Sequence, residues 1–201
     1  MAHRFDPQEM KKLDSARRKK ALPAGDIIAR LKLRPGDRVV DIGCGTGYFA
    51  IPASDAVGRN GRVYAVDVSK EMLAELKKMS LNRRNIGYIN SSADNFSGKN
   101  IRADMVLVFF VFHEIGEKTK FLRHMYALLK KGGRIALIDW QKKKTSLGPP
   151  VSHRVSRAAA EKWLNKAGFI GLREEYIKRT FYCLVARKPC ASYGRTTDRA
   201  C

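Results

Sequence analysis

Between residues 38 and 140, short apolar runs alternate with stretches of helical periodicity. The runs "RVVDIG" (38–43), "RVYAVDV" (62–68), "IGYIN" (86–90), "ADMVLVFFVF" (103–112) and "RIALIDW" (134–140) read as continuous Val, Ile and Leu. Strands with that pattern are buried on both faces, as in a parallel sheet covered by helices. The intervening "GYFAIPASDAV" (47–57), "KEMLAELKKMSL" (70–81) and "KTKFLRHMYALLKKGG" (118–133) have helical spacing, the last predicted to run to its glycine pair. The pattern predicts a doubly wound, Rossmann-like α/β domain.

Both ends depart from this rhythm. Residues 8–21 are rich in helix formers and follow Asp6-Pro7, which suits a cap and first helical position, and "DIIARLKL" (26–33) predicts a second short helix. After the helical "SRAAAEKWLNKAGF" (156–169), the stretch 170–188 holds two extended segments with no helix between them, so they pair antiparallel at one edge of the sheet. From Pro189 the chain is polar and patternless. The expected organisation is N-terminal helices over 1–32 that can act as a lid, a main domain over 33–188, and a flexible tail over 189–201.

At 201 residues the chain is one ordinary domain in size. Its 40 Lys and Arg against 19 Asp and Glu give a net charge of +21, which favours anionic surfaces or ligands. The basic residues are spread along the chain without an arginine-rich block or aromatic ladder, so a nucleic-acid partner is possible but not favoured. Four cysteines (44, 183, 190, 201) show no metal or redox spacing, and no metal is expected. No apolar run has the length of a membrane span, and the first twenty residues lack a signal-peptide core, so a cytoplasmic protein is expected.

The stretch "VVDIGCGTGYFA" (39–50) carries the candidate chemistry. A loop leaving a buried strand and entering a helix brings bare backbone to a ligand only where side chains are absent; Gly43, Gly45 and Gly47 supply this, and the helix expected from about Tyr48 aims its amides at the same crevice. The spacing is Asp41-x-Gly43-x-Gly45-x-Gly47 and differs from the G-x-G-x-x-G of nicotinamide enzymes, making an oxidoreductase the least favoured class. Asp41 suits a cationic amino-acid group better than a pyrophosphate. Asp67, 24 residues beyond Gly43, closes the next strand where a carboxylate accepts ribose hydroxyls. In "SSADNF", Ala93, Asp94 and Asn95 follow the third strand where an adenine edge can be hydrogen-bonded; the competing reading of Asp94 is a loop cap.

Together these segments resemble the class I S-adenosylmethionine-dependent methyltransferases over roughly Leu33 to Lys188, with "VVDIGCGTGYFA", "VYAVDVSKEML", "SADNF", "ADMVLVFFVFHEI" and "LLKKGGRIALIDW" similar to their successive motifs. The resemblance implies a seven-stranded sheet whose last strand is inserted antiparallel. It implies S-adenosylmethionine as cofactor, S-adenosylhomocysteine as product, and cofactor contacts from Asp41, Gly43, Cys44, Gly45, Gly47, Asp67, Val68, Met72, Ala93, Asp94, Asn95 and Phe109. Within the family, "FHEI", "IDW", "GPP" and "AGF" look closest to small-molecule enzymes of the quinone-biosynthesis and arsenite kinds (methyltransferase type 11). The late cysteines do not suit arsenite. The fourth strand ends "VFFVFHE", without the Asn/Asp-Pro-Pro-Tyr of many nucleic-acid amino-group methylases.

Methyl transfer from a sulfonium is an in-line displacement that needs alignment in a desolvated pocket more than a catalytic side chain. If the acceptor carries a proton, a base helps. His113 follows the fourth strand and is the candidate base, against a competing role in capping the next helix; Glu114 shares its position. Asp139 and Trp140 end the fifth strand, where they either line the acceptor site or pack under the following loop. Phe109, Phe110 and Phe112 are core by pattern, with one touching the cofactor, and Trp163 is structural. The basic "QKKKTSLGPPVSHR" (141–154) is either an acceptor-site cover admitting an anionic substrate or a solvated loop. The sequence thus predicts methyl transfer to a small, anionic acceptor; the alternatives are an RNA or protein methyltransferase and a non-catalytic adenosyl-binding module.

Overall fold

A computed structural model describes residues 20, 22–145 and 148–190. Seven strands form one sheet: β1 (Arg38–Ile42), β2 (Arg62–Asp67), β3 (Ile86–Asn90), β4 (Ala103–Phe109), β5 (Leu129–Trp140), β6 (Ile170–Glu174) and β7 (Phe181–Arg187), in the order β3-β2-β1-β4-β5-β7-β6. The first five run parallel, and β7 pairs antiparallel with both β5 and β6. The doubly wound sheet with its antiparallel terminal hairpin is the one expected from the sequence. No helix among the described residues is long and apolar enough to cross a membrane.

Successive strand residues feed opposite cores. Val40, Val106 and Leu137 pack under α4 (Lys118–Leu128) and α5 (Arg157–Lys166), with Leu122, Met125 and Leu164 fully buried. Val39, Leu107 and Ile138 pack on the other face under α1 (Ala24–Arg30), α2 (Ala50–Val57) and α3 (Lys70–Met79). Continuous apolar runs were needed because neither face meets water. Serine caps start two of the helices: Met72 N donates to Ser69 Oγ (3.1 Å) at α3, and Ala159 N to Ser156 Oγ (3.2 Å) at α5.

Several boundaries differ from the sequence expectation, three of them for reasons that the structure shows. Helix α4 stops at Leu128, and the Lys130–Gly133 segment instead forms an irregular entry into β5, where the register shifts between the Ala103–Leu129 and Met105–Arg134 pairs. The reason is steric: a Cβ on Gly133 would stand 2.9 Å from the Lys130 carbonyl oxygen and 3.1 Å from that of Ala103. The glycines serve a strand entry rather than a helix stop. Strand β4 ends at Phe109 because Phe110 adopts φ 60°, and α2 begins at Ala50, later than Tyr48.

Helix α1 is fixed to the sheet. Ile27 and Ile28 are buried, Arg134 Nη1 donates to the Leu31 carbonyl (2.7 Å), and Tyr48 Oη donates to that of Leu22 (2.6 Å). Apart from Lys20, the expected helix over 8–21 lies outside the described residues, as does nearly all of the tail from 189.

The Tyr182 hydroxyl is buried with no hydrogen-bond partner among the described residues, and burial, with the charge of Asp139, pushes its pKa up. A buried donor without a partner costs roughly 1–3 kcal/mol. Tyr182→Phe is therefore expected to raise the thermal midpoint by about 2–4 °C, a shift of order 1 kcal/mol, as measured by circular dichroism; a fall of that size would contradict the assignment.

Candidate active site

The carboxyl ends of the parallel strands bring the glycine loop, the β2 terminus and the β4 terminus together. Gly43, Gly45 and Gly47 adopt φ of 68°, 54° and 89°, which L side chains rarely tolerate. Two of them also face packing constraints: a Cβ on Gly43 would stand 2.1 Å from Val111 Cγ2, and one on Gly47 2.1 Å from Leu76 Cδ1. The loop is thus held against α3 on one side and against the segment after β4 on the other.

Asp67 fastens the loop. Its Oδ2 accepts from Gly45 N (2.8 Å) and its Oδ1 from Ser69 N (2.9 Å). A carboxylate has about four lone-pair sites, so each oxygen retains capacity for a hydroxyl. The structural half of this role was missed in the sequence, where Asp67 read only as a ribose ligand.

Asp41 is 1% exposed, and its Oδ2 has no hydrogen-bond partner among the described residues. Burial first, and then the Asp67 charge, push its pKa up to about 8. The same surroundings raise the Cys44 thiol well above its usual range. An orphaned carboxyl beside a glycine loop fits a ligand carrying a cationic ammonium group, whose charge would restore ionisation.

The remaining candidates divide by exposure. Val68 is 52% exposed, and Asp94 and Asn95 are exposed in the turn after β3. Asp94 and Asn95 line a cleft of about 390 Å³ together with Gly116, Lys120 and Phe121. Ala93 packs against the core edge. Cys44, Met72 and Phe109 have core side chains; Phe109 stacks edge-on to Phe49 at 4.7 Å, because the chain reverses only at Phe110. Phe110 instead joins Trp140 (5.7 Å) and Phe181 (5.2 Å) in an aromatic group.

His113 and Asp139, which the sequence could place only on separate strand ends, are in contact. Asp139 Oδ1 lies 2.9 Å from His113 Nδ1 and accepts from Trp140 N (2.8 Å), while Oδ2 accepts from His113 N (2.9 Å). Their side chains are 5% and 1% exposed. Glu114 Oε1 stands 3.8 Å from His113 Nε2, beyond hydrogen-bond range. Lys118 donates to the Ile115 carbonyl (2.6 Å) and lies over the Phe112 and Trp163 rings; burial lowers its pKa against the opposing pull of Asp139 and Asp94.

The basic loop has an organiser of its own. Arg154, 3% exposed, donates to the carbonyls of Pro149 (2.8 Å), Gln141 (3.2 Å) and Lys143 (2.9 Å) and lies over the Trp140 ring. Its charge is committed to the loop, whereas Lys142, Lys143 and Lys144 are exposed. Among the described residues no cluster of His, Cys, Asp or Glu has the arrangement of a metal site.

Comparisons with known proteins find methyltransferases. A family profile described as "Methyltransferase domain" matches residues 39–133. A demethylmenaquinone methyltransferase of Alkalihalophilus pseudofirmus is 30% identical over 116 residues, 57% of this chain and 49% of the relative. A ubiquinone/menaquinone biosynthesis C-methyltransferase of Haemophilus ducreyi is 32% identical over 114 residues, 55% of this chain and 44% of the relative. The chain spans about half the length of these curated relatives. The crystal structure of a SAM dependent methyltransferase from Aquifex aeolicus superimposes with a TM-score of 0.83 at 28% identity, covering 92% of this chain and 99% of that one.

The sign of the Asp41 effect on stability follows from linkage. A carboxyl whose folded pKa is raised from 3.8 to about 8 contributes stability fully present below pH 3.8 and lost as pH rises through 8. Asp41→Asn removes that loss. It is expected to leave the thermal midpoint near the wild-type value at pH 4 and to raise it by several degrees at pH 8.5. Equal midpoints at both pH values would contradict an unpaired buried carboxyl.

Proposed function

The chain belongs to the class I S-adenosylmethionine-dependent methyltransferases, and from that premise we propose that it transfers the methyl group to a small molecule at the carboxyl edge of its sheet. The observation that carries the reading is the orphaned Asp41 carboxyl beside a glycine loop that Asp67 pins in place. When bound, S-adenosylmethionine supplies an activated methyl on a cationic sulfur. Asp41 offers its charge to the amino-acid portion, Gly43, Gly45 and Gly47 admit that portion close to the backbone, and Asp67 accepts the ribose hydroxyls. Val68 offers an exposed apolar surface to the base, and Asp94 accepts from its exocyclic amine, with Ala93 and Asn95 beside it. Cys44, Met72 and Phe109 contribute from beneath, as walls.

The acceptor is a small molecule on this reading because the curated relatives bear the names of quinone-biosynthesis methyltransferases. Exposed Lys142, Lys143 and Lys144 at the acceptor edge favour one with anionic character. His113 serves as the base when the acceptor carries a proton. The competing macromolecular reading rests on the +21 charge; it requires RNA binding that falls steeply with salt.

Calorimetric titration checks the cofactor assignment. S-adenosylmethionine and S-adenosylhomocysteine are expected to bind saturably and NADH not at all, and Asp67→Ala to weaken the adenosyl compounds by about tenfold or more, because a charged hydrogen-bonding group is lost. Failure of folded wild-type protein to bind either adenosyl compound would overturn the function.

A further inference from the structure

Basic residues that lie scattered along the sequence are gathered by the fold at the end of the sheet remote from the crevice. We propose that this amino-terminal edge is a docking surface for the phosphate backbone of duplex RNA, a partner held apart from the methyl-transfer site.

Every parallel strand begins on this edge, so the turns that enter the strands share it. Arg34 precedes β1 and Arg38 opens it, Arg59 and Arg62 stand in the same places at β2, and Arg84 and Arg102 precede β3 and β4; all six are exposed. Arg38 and Arg62 are in register on neighbouring strands, at a strand spacing of about 4.8 Å. Arg134 of β5 is likewise in register with Arg187 of β7. Like charges placed side by side in a sheet are destabilising. The crowding shows in the titration of the buried members. Burial, then Arg173 and Arg34, lower the Arg134 pKa against the opposing pull of Asp37, and burial, Arg102 and Lys131 lower that of Lys188.

The carboxylates on this edge are already engaged. Asp37 Oδ2 accepts from Arg34 N (2.8 Å), and Asp55 holds Arg83 through two bonds of 2.9 Å. Asp104 accepts from Lys130 Nζ at 2.7 and 2.8 Å and from the backbone amide of Arg38 at 2.8 Å. Cations beside helix C-termini ordinarily serve the carbonyls there. Arg134 does so at Leu31 and Lys32, and Lys188 at Tyr126 and Leu129. Arg34, Arg38, Arg59 and Arg84 make no side-chain hydrogen bond or ion pair among the described residues, so capping leaves them unexplained. An external polyanion would neutralise them.

Arginine forks match phosphate oxygens in pairs, which favours a phosphodiester backbone. The edge is made of strand starts and short turns such as 58–61 and 80–85, with no helix or hairpin among the described residues placed to enter a major groove. Duplex RNA offers a wide, shallow minor groove that is recognised by shape and backbone. A bilayer fits less well, because exposed Met79 and Leu81 before β3 and Ile170 at the start of β6 stand at opposite ends of the strand order and form no continuous apolar patch. The five residues of β1 separate this edge from the glycine loop by about 16 Å. The docked duplex is therefore not the methyl acceptor, and the inference does not depend on the methyl-transfer reading.

Fluorescence anisotropy on the full chain, with a labelled blunt RNA duplex of about 20 base pairs, tests this. Saturable binding is expected, with a log–log salt slope of about −3 or steeper. Arg38→Glu combined with Arg84→Glu should weaken binding about tenfold or more and flatten the slope by about 2. Lys142→Glu combined with Lys144→Glu makes the same change of charge at the opposite edge and should weaken binding less than about threefold. Arg38→Glu sets opposite charges in register with Arg62, so the thermal midpoint should not fall. Arg59→Glu combined with Arg84→Glu, confined to exposed turns, should reproduce the loss. A DNA duplex of the same sequence should bind at least about threefold more weakly, and the RNA should stay unmethylated in the presence of S-adenosylmethionine. Equal losses from charge reversal at either edge, or no saturable RNA binding below about 100 µM, overturn the docking surface. DNA binding as tight as RNA binding overturns the choice of RNA. Capture by phosphatidylserine vesicles that Arg38→Glu with Arg84→Glu abolishes, without RNA binding, overturns it in favour of a membrane. Methylation of the duplex overturns the separation from the crevice.

Discussion

The bond from Gly45 N to Asp67 Oδ2 is the constraint on which the site depends. Three glycines at positive φ are inexpensive to bend and equally inexpensive to straighten, because glycine loses more backbone entropy on folding than any other residue. Left to itself the loop would sample many shapes. Asp67 sits at the end of the neighbouring strand, one residue past the Ile42–Val66 pair that closes the β1–β2 ladder, and reaches across to hold the middle of the loop. Val111 and Leu76 fill the spaces that glycine leaves empty. Sheet register, loop shape and ligand-facing carboxylate are thereby one mechanical unit.

Against that frame the electrostatics are deliberately incomplete. Most buried polar groups in a folded protein find a partner, yet Asp41 lies under the loop without one at Oδ2 and beside a second carboxylate. Stability is given up there at the pH where the ligand is bound, and a cationic ligand recovers it. The opposite arrangement holds at the far side of the cleft, where Asp139 is saturated with donors. One carboxyl waits for charge from outside; the other is already met by two backbone amides and an imidazole of its own chain.

Much of this was legible in the sequence, for identifiable reasons. Unbroken apolar runs signal two-sided burial, and two strands without a helix between them must pair antiparallel, so the fold followed from pattern. Asp41, the glycines and Asp67 announced themselves through spacing. Other features depend on distance in space. Nothing in the order of residues places His113 beside Asp139, 26 positions later; only the β4–β5 pairing brings their ends together. Arg154 read as part of a basic stretch that was either a substrate cover or a solvated loop, and burial turns it onto three carbonyls of its own loop. Phe109 is buried at the end of β4, and the left-handed turn that follows at Phe110 is not visible in the apolar pattern. Gly132 and Gly133 looked like a helix stop because a one-dimensional signal does not distinguish that from a crowded strand entry.

The central claim is that one crevice, framed by the glycine loop and the β2 terminus, holds an adenosyl ligand with its ammonium toward Asp41 and its ribose on Asp67. A crystal structure of the protein grown with S-adenosylhomocysteine tests this most directly. The account predicts both ribose hydroxyls within hydrogen-bond distance of the Asp67 carboxylate, the Gly45–Asp67 bond intact, and the amino group on the Asp41 side of the loop. An adenosyl group seated elsewhere, or bound with the glycine loop rebuilt and Asp67 released from Gly45, would contradict it.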